Sequence, residues 1–251
     1  RMHTLSKIQI IVVIVIIVLV GWLLLLGNDA KPTPTISTPT TTPTDATWPS
    51  TMVDTETISE STSQYSIDVA YPVTKDPRIT AQFKEFAEGQ VAQFKEDTSW
   101  ANDPSIAPAE AAALSLEIDF TQEKSMYVET YIFSIVTYTG GAHGLQVTRT
   151  FAFDSKGKTV QLADLFTNGE AGLTTIAPVV IKDLTKRAIS DANWIADGAG
   201  PKSQNYQAFI VTDAGITIIF DPYQVAAYSA GPQTVVVPKS VFKGIANPEL
   251  W

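Results

Sequence analysis

Hydrophobic and polar positions divide the chain into regions of different character. From Ile8 to Leu26 run 19 residues of which only Gln9 is polar, and a helix of about 20 apolar residues spans the hydrocarbon core of a bilayer. The pattern predicts one transmembrane helix whose partner is the lipid bilayer. Arg1 and Lys7 precede it, while Asp29 and Lys31 follow and cancel. The positive-inside rule then makes residues 1–7 a short cytoplasmic tail. The rest is expected outside a single-pass cell membrane, extracellular or periplasmic. A cleaved signal peptide is the competing reading. The apolar run exceeds the usual core of about 7–15 residues, and Gly27-Asn28-Asp29-Ala30 is a poor small-x-small site; both favour an uncleaved anchor.

The pattern changes at once beyond the apolar run. Pro32, Pro34, Pro39, Pro43 and Pro49 alternate with threonines and serines, with almost no large apolar residues. Such a segment cannot bury enough surface to offset the entropy of ordering it. Residues 27–63 are therefore expected to form an extended, disordered Thr/Pro stalk.

From Gln64 the periods of folded structure appear. Tyr65–Pro72 alternates as a strand. Asp76-Pro77 then reads as an N-cap with proline at the first helical position. Ile79, Phe83, Phe86, Ala87, Val91 and Phe94 recur at helical spacing behind it, giving an amphipathic helix of about five turns. Ala113–Phe120 and Met126–Tyr138 read as strands. Leu145–Phe153 alternates with Leu145, Val147, Phe151 and Phe153 on one face. Between the last two lies Tyr138-Thr139-Gly140-Gly141-Ala142-His143-Gly144, whose three glycines close a hairpin or admit another backbone. Further hairpins are expected at Asp154–Lys158 and Thr212–Gly215, with a last strand at Gln233–Val237. Leu173, Ile176, Val180, Leu184 and Ala188 form a second helical stripe. Pro178 within it must sit in the first turn or kink the helix.

The fold class that follows is α+β: an antiparallel sheet built of hairpins with two main helices packed on it. Residues 64–122 are expected as a small subdomain and 123–251 as a C-terminal domain.

Composition narrows the function. The chain has 251 residues, 45% hydrophobic, with net charge −9 and no cysteine. Absence of cysteine excludes a disulfide scaffold, a thiolate metal site and a thiol nucleophile. The acidic balance argues against nucleic acid, whose phosphates require clustered Lys and Arg. Residues 60–251 carry 14 basic against 22 acidic side chains. That excess would speed encounter with a basic protein, although acidic surfaces also simply keep proteins soluble.

Candidate chemistry is sparse. His143 is the one histidine beyond the apolar segment, and nothing at zinc-ligand spacing surrounds it. No nucleophile-elbow motif appears. No catalytic residue, cofactor or metal ligand is therefore assigned, and no carboxylate pair stands out. Tyr223 and Tyr228 lie in a loop bounded by proline and glycine, where a tyrosine ring gives large contact area at low entropy cost. Arg149 lies in the apolar set of its strand and is expected to pair with Asp119 or Glu129.

Two blocks carry a resemblance. One is Tyr138–Gly144 with Thr150-Phe151-Ala152-Phe153-Asp154, Gly157-Lys158 and Leu162–Phe166; the other is Phe220–Pro232. They resemble the extracytoplasmic domain of RsiV-type, lysozyme-sensing anti-sigma factors. Tyr65–Asp97 is similar to the smaller domain that accompanies it there and in PdaC-type peptidoglycan deacetylases. The likeness covers most of residues 64–245. It reaches neither a sigma-binding segment, since about seven residues precede the apolar run, nor a deacetylase domain before Trp251. It implies a membrane-anchored binding or sensing module directed at a lysozyme-like muramidase or cell-wall glycan. Its partner-contact residues would be Tyr138, Gly140, Gly141, His143, Asp221, Tyr223 and Tyr228. The alternative is an envelope hydrolase or deacetylase with an unrecognised carboxylate site.

Overall fold

The computed structural model describes residues 54–102 and 114–251. The expected membrane segment 8–26 and most of the expected stalk lie outside the described residues. Among the described residues no helix is long and apolar enough to cross a membrane.

The folded part opens earlier than the composition suggests. Asp54–Ser61 is strand β1, paired antiparallel along its whole length with β2 (Tyr65–Val73). The stalk expected to reach residue 63 therefore gives way by Asp54. A polar edge strand has no alternating signal, and its neighbour supplies the order. Ile58 packs on the core. Glu56 accepts a hydrogen bond from the Tyr71 hydroxyl, an interaction that pushes the phenol up to about 12.

Helix α1 (Pro77–Asp97) follows, capped by Asp76. Its carboxylate accepts the Arg78 N–H at 2.9 Å and the Arg78 guanidinium at 2.6 Å. That guanidinium first, and then the N–H, hold the carboxyl below the usual aspartate range. A depressed carboxylate stabilises the fold above its unfolded pKa of about 3.9 and loses that contribution as pH falls through the folded value. Asp76→Ala is therefore expected to lower the thermal midpoint at neutral pH and to converge with the parent in strong acid, which melting curves at the two pH values would check.

After α1 the chain returns to the same sheet. β3 (Leu114–Lys124) lies parallel to β2, a crossover that a hairpin-only sheet excludes. A helix as long as α1 carries the chain back to the starting end, so the next strand runs the same way. β4 (Val128–Tyr138), β5 (Leu145–Asp154) and the short β6 (Thr159–Val160) follow as antiparallel neighbours, completing a six-stranded sheet in order β1 to β6. The boundary expected between residues 122 and 123 falls inside β3. Residues 54–251 lie within one compact unit.

Two cores fill that unit. The first lies between α1 and the sheet, centred on fully buried Phe83, whose ring lies 4.7–5.8 Å from those of Tyr131, Phe133, Phe151 and Phe153. The second joins helix α2 (Leu173–Lys186), helix α3 (Ala192–Gly198) and the short helix α4 (Lys239–Phe242) to a three-stranded antiparallel sheet. That sheet is β7 (Phe209–Thr212), β8 (Gly215–Phe220) and β9 (Gln233–Pro238). Val128 and Ala152 of the first sheet also belong to the second core. The end of β5 is thus buried on both faces, Phe153 towards α1 and Ala152 towards the other core. At its opposite end Leu145, expected inside, is 38% exposed. Pro178 is the sixth residue of α2, beyond the first turn.

Candidate binding site

The β4–β5 hairpin is looser than a two-residue turn, with residues 139–144 between the strands. Gly140 and Gly141 hold φ of 100° and 108°, conformations that residues with a Cβ adopt only under strain. A Cβ on Gly140 would also stand 3.1 Å from the Trp100 ring, over which the loop passes. The Tyr138 hydroxyl donates to the Gly141 carbonyl at 2.8 Å and folds the loop back on its strand. His143 is left exposed, with Nδ1 2.9 Å from the Gly144 carbonyl, an acceptor that places the ring proton on that nitrogen.

The facing segment is the β8–β9 connection. Asp221-Pro222-Tyr223-Gln224 closes with the Gln224 N–H donated to the Asp221 carbonyl at 3.1 Å. Proline at the second position and φ of +69° at Tyr223 give a type II turn, in which the third position ordinarily holds glycine. A tyrosine there costs about 1–2 kcal/mol of backbone strain. Tyr223 is nonetheless 51% exposed.

Each part of this turn is held by a different element. The Asp221 carboxylate accepts the Thr148 N–H at 2.7 Å and Arg149 Nη1 at 2.8 Å, tying the turn to β5. The Gln224 amide donates to the carbonyls of Gly198 at 3.1 Å and Asn205 at 2.9 Å. Trp194 on α3 donates its indole N–H to the Tyr223 carbonyl at 3.2 Å. Pairing with Asp221 replaces the partners expected for Arg149. Asp119 is two strands away on β3, and Glu129 sits opposite Phe153 rather than Arg149. Arg149 is about half exposed, so the pair adds little stability; what it fixes is the position of the turn.

Hairpin and turn meet through their rings. Tyr228 stacks on His143 with centroids 3.8 Å apart and planes 17° from parallel. Its hydroxyl donates to the Gly144 carbonyl at 2.8 Å, the oxygen that also faces His143 Nδ1. The Tyr223 ring lies 5.7 Å from that of Tyr228, tilted by 33°. One carbonyl thereby orients two rings.

Of the residues singled out in the sequence, His143, Tyr223 and Tyr228 come together as this aromatic surface. Asp221 positions it, and Gly140 and Gly141 shape the loop beneath His143. Tyr138 differs: its ring packs against the first core and only its hydroxyl serves the hairpin. Trp194 and Trp100, 36% and 41% exposed, join the site through contacts that no local sequence pattern marks. The N-cap Asp191, which accepts the N–H groups of Asn193 and Trp194, was the available signal for α3.

A cleft of about 740 Å³ opens at the other end of β4 among Asp54, Asp76, Met126, Glu129 and Asp154. Its carboxylates are mostly committed: Asp76 to Arg78, Asp154 to the N–H groups of Lys156 and Lys158, Glu129 to Gln122. Among the described residues no group of three or more His, Asp or Glu side chains is placed to hold a metal ion.

The chain is 27% identical over 200 residues to the peptidoglycan-N-acetylmuramic acid deacetylase PdaC of Bacillus subtilis (strain 168), covering 78% of this chain and 42% of that protein. It is 28% identical over 113 residues to immunogenic protein MPT64 of Mycobacterium tuberculosis, covering 45% of this chain and 49% of that one. It thus spans under half the length of each of these relatives. Among solved structures, a member of the DUF3298 family from Bacteroides fragilis superposes with a TM-score of 0.56 at 19% identity. That superposition covers 79% of this chain and 94% of the other, a likeness of fold. Residues 163–240 match the family model described as a protein of unknown function (DUF3298), so the chain carries a PdaC-like DUF3298 region.

Proposed function

We propose that the chain is a binding module of the cell envelope that docks peptidoglycan, or a lysozyme-like muramidase acting on it, without catalysis of its own. In this reading Ile8–Leu26 anchors the chain and the folded unit lies outside the membrane. The observation that carries the proposal is the aromatic surface of exposed His143 and Tyr223 around half-buried Tyr228, in which the Gly144 carbonyl fixes His143 and Tyr228 and the Tyr223 ring lies against that of Tyr228. Rings held rigid before contact lose little entropy on binding, which is how aromatic anchors generate affinity. His143 gives one nitrogen to a backbone carbonyl and one face to a phenol, which fixes its ring ahead of contact. Similarity to PdaC supports an envelope setting, and the net charge of −9 supports a basic muramidase as the second candidate.

The test uses the 251-residue chain in detergent micelles, mixed separately with insoluble peptidoglycan and with lysozyme. Co-sedimentation or capture without release of sugar or acetate is expected, and the double change His143→Ala with Tyr228→Ala should weaken it. Turnover of peptidoglycan, lost on replacing a single Asp or Glu, would overthrow the reading in favour of a hydrolase or deacetylase. Protease shaving of intact cells tests the anchor independently.

A further inference from the structure

Resting on the binding-module reading, we propose that the ligand taken by this surface is an uncharged glycan chain, with a pyranose ring stacked on the exposed face of Tyr223 beside the Trp194 indole. The protein keeps a strained tyrosine at a turn position that glycine or asparagine would occupy at lower cost. It also leaves that residue about half exposed to water. Strain of this kind persists where the surrounding structure enforces it, and it concentrates at ligand contacts. Here the enforcement is visible: Asp221 and Gln224 pin the two ends of the turn, and Trp194 holds the Tyr223 carbonyl between them.

The chemistry of the surface selects the ligand class. A pyranose presents a face of C–H bonds, apolar and slightly positive, that matches the negative face of an aromatic ring. Its hydroxyls lie around the rim and stay in water or meet acceptors. Arg149, the cation that joins the two loops, is already paired with Asp221. Asp191, the N-cap of α3, and Asp197 within it lie three residues either side of Trp194 and are exposed. An anionic polymer or an acidic peptide would meet carboxylates here and gain no ion pair, whereas a neutral sugar would find rings bordered by hydrogen-bond acceptors. A folded protein would instead need a broad apolar centre within an interface of roughly 1,000 Å² or more, and the rings in contact here are those of His143, Tyr228 and Tyr223, contributed by two loops.

The probe is the N-acetylglucosamine hexamer, titrated into the 251-residue chain in detergent micelles by calorimetry and tryptophan fluorescence. Saturable binding, insensitive to salt, is expected. Tyr223→Asn should weaken it by about tenfold, the loss of one stacked ring, while the thermal midpoint holds or rises because asparagine tolerates positive φ. That pairing separates loss of contact from loss of fold. Hexamer affinity unchanged in Tyr223→Asn would overturn the proposal. So would a chain that ignores the hexamer yet binds lysozyme or insoluble peptidoglycan in a Tyr223-dependent way; the binding-module reading would then survive, with a protein or stem peptide as ligand. A chain that binds none of the three would sink both.

Discussion

Phe83→Ala is expected to destabilise the protein by about 3–5 kcal/mol, a large share of the roughly 5–15 kcal/mol that hold a domain folded. Phe83 is fully buried and its ring touches four others. Tyr131 and Phe133 come from β4, Phe151 and Phe153 from β5. Those strands are paired along their whole shared length, so they cannot move inward one residue at a time to fill the space. The lost transfer energy is therefore joined by the cost of a residual cavity. Phe86 supplies the control: it also meets Phe133 and Phe151 but is only partly buried, and its replacement should cost distinctly less. Denaturant titration of both variants tests the assignment. Equal losses would show that α1 is not seated on the sheet through Phe83.

The second large effect is expected at Gly198, the last residue of α3. A Cβ there would stand 2.0 Å from the Gln224 carbonyl oxygen, 2.8 Å from its carbon and 3.0 Å from Val225 Cγ1. Two of those three atoms are backbone, so no side chain can swing aside to make room. Gly198→Ala should cost about 1–3 kcal/mol and push the Asp221–Gln224 turn away from α3. The Gln224 bond to the Gly198 carbonyl and the Trp194 bond to Tyr223 would go with it. Ligand affinity should then fall together with stability, and the emission of Trp194 should shift. Gly89 offers the opposite case. It lies in α1, exposed, with nothing within 4 Å of a new Cβ, so alanine there should stabilise by up to about 1 kcal/mol through helix propensity. If Gly198→Ala behaved like Gly89→Ala, the claim that the turn is clamped on α3 would be wrong.

Much of the fold was legible because single elements carry their own period. The stripe Ile79, Phe83, Ala87 and Phe94 is the buried face of α1, and Leu173, Ile176, Val180 and Leu184 are that of α2. Asp76-Pro77 marked the start of α1 to the residue. The failures have a common cause in partners distant along the chain. Strand β1 is polar because its outer edge faces water, and it exists through pairing with β2. The parallel register of β2 and β3 depends on the path through α1, which no local pattern states. Arg149 finds Asp221, 72 residues away. Trp194 looks like one aromatic in a short polar helix until its indole reaches the Tyr223 carbonyl.

Residue chemistry alone determined the strand and helix periods, the glycine-rich hairpin, the acidic balance and the tyrosines of the Asp221–Pro232 loop. Each is a property of neighbours in the chain, set by side-chain alternation and by backbone freedom at glycine. Tertiary structure alone decided that both tyrosines and His143 share one surface, with the Trp194 indole bonded to the turn that carries Tyr223. Stacking at 3.8 Å and a carbonyl shared between Gly144, His143 and Tyr228 need two loops about 80 residues apart to be brought together by two packed cores. Only the burial of those cores supplies the free energy to hold them there.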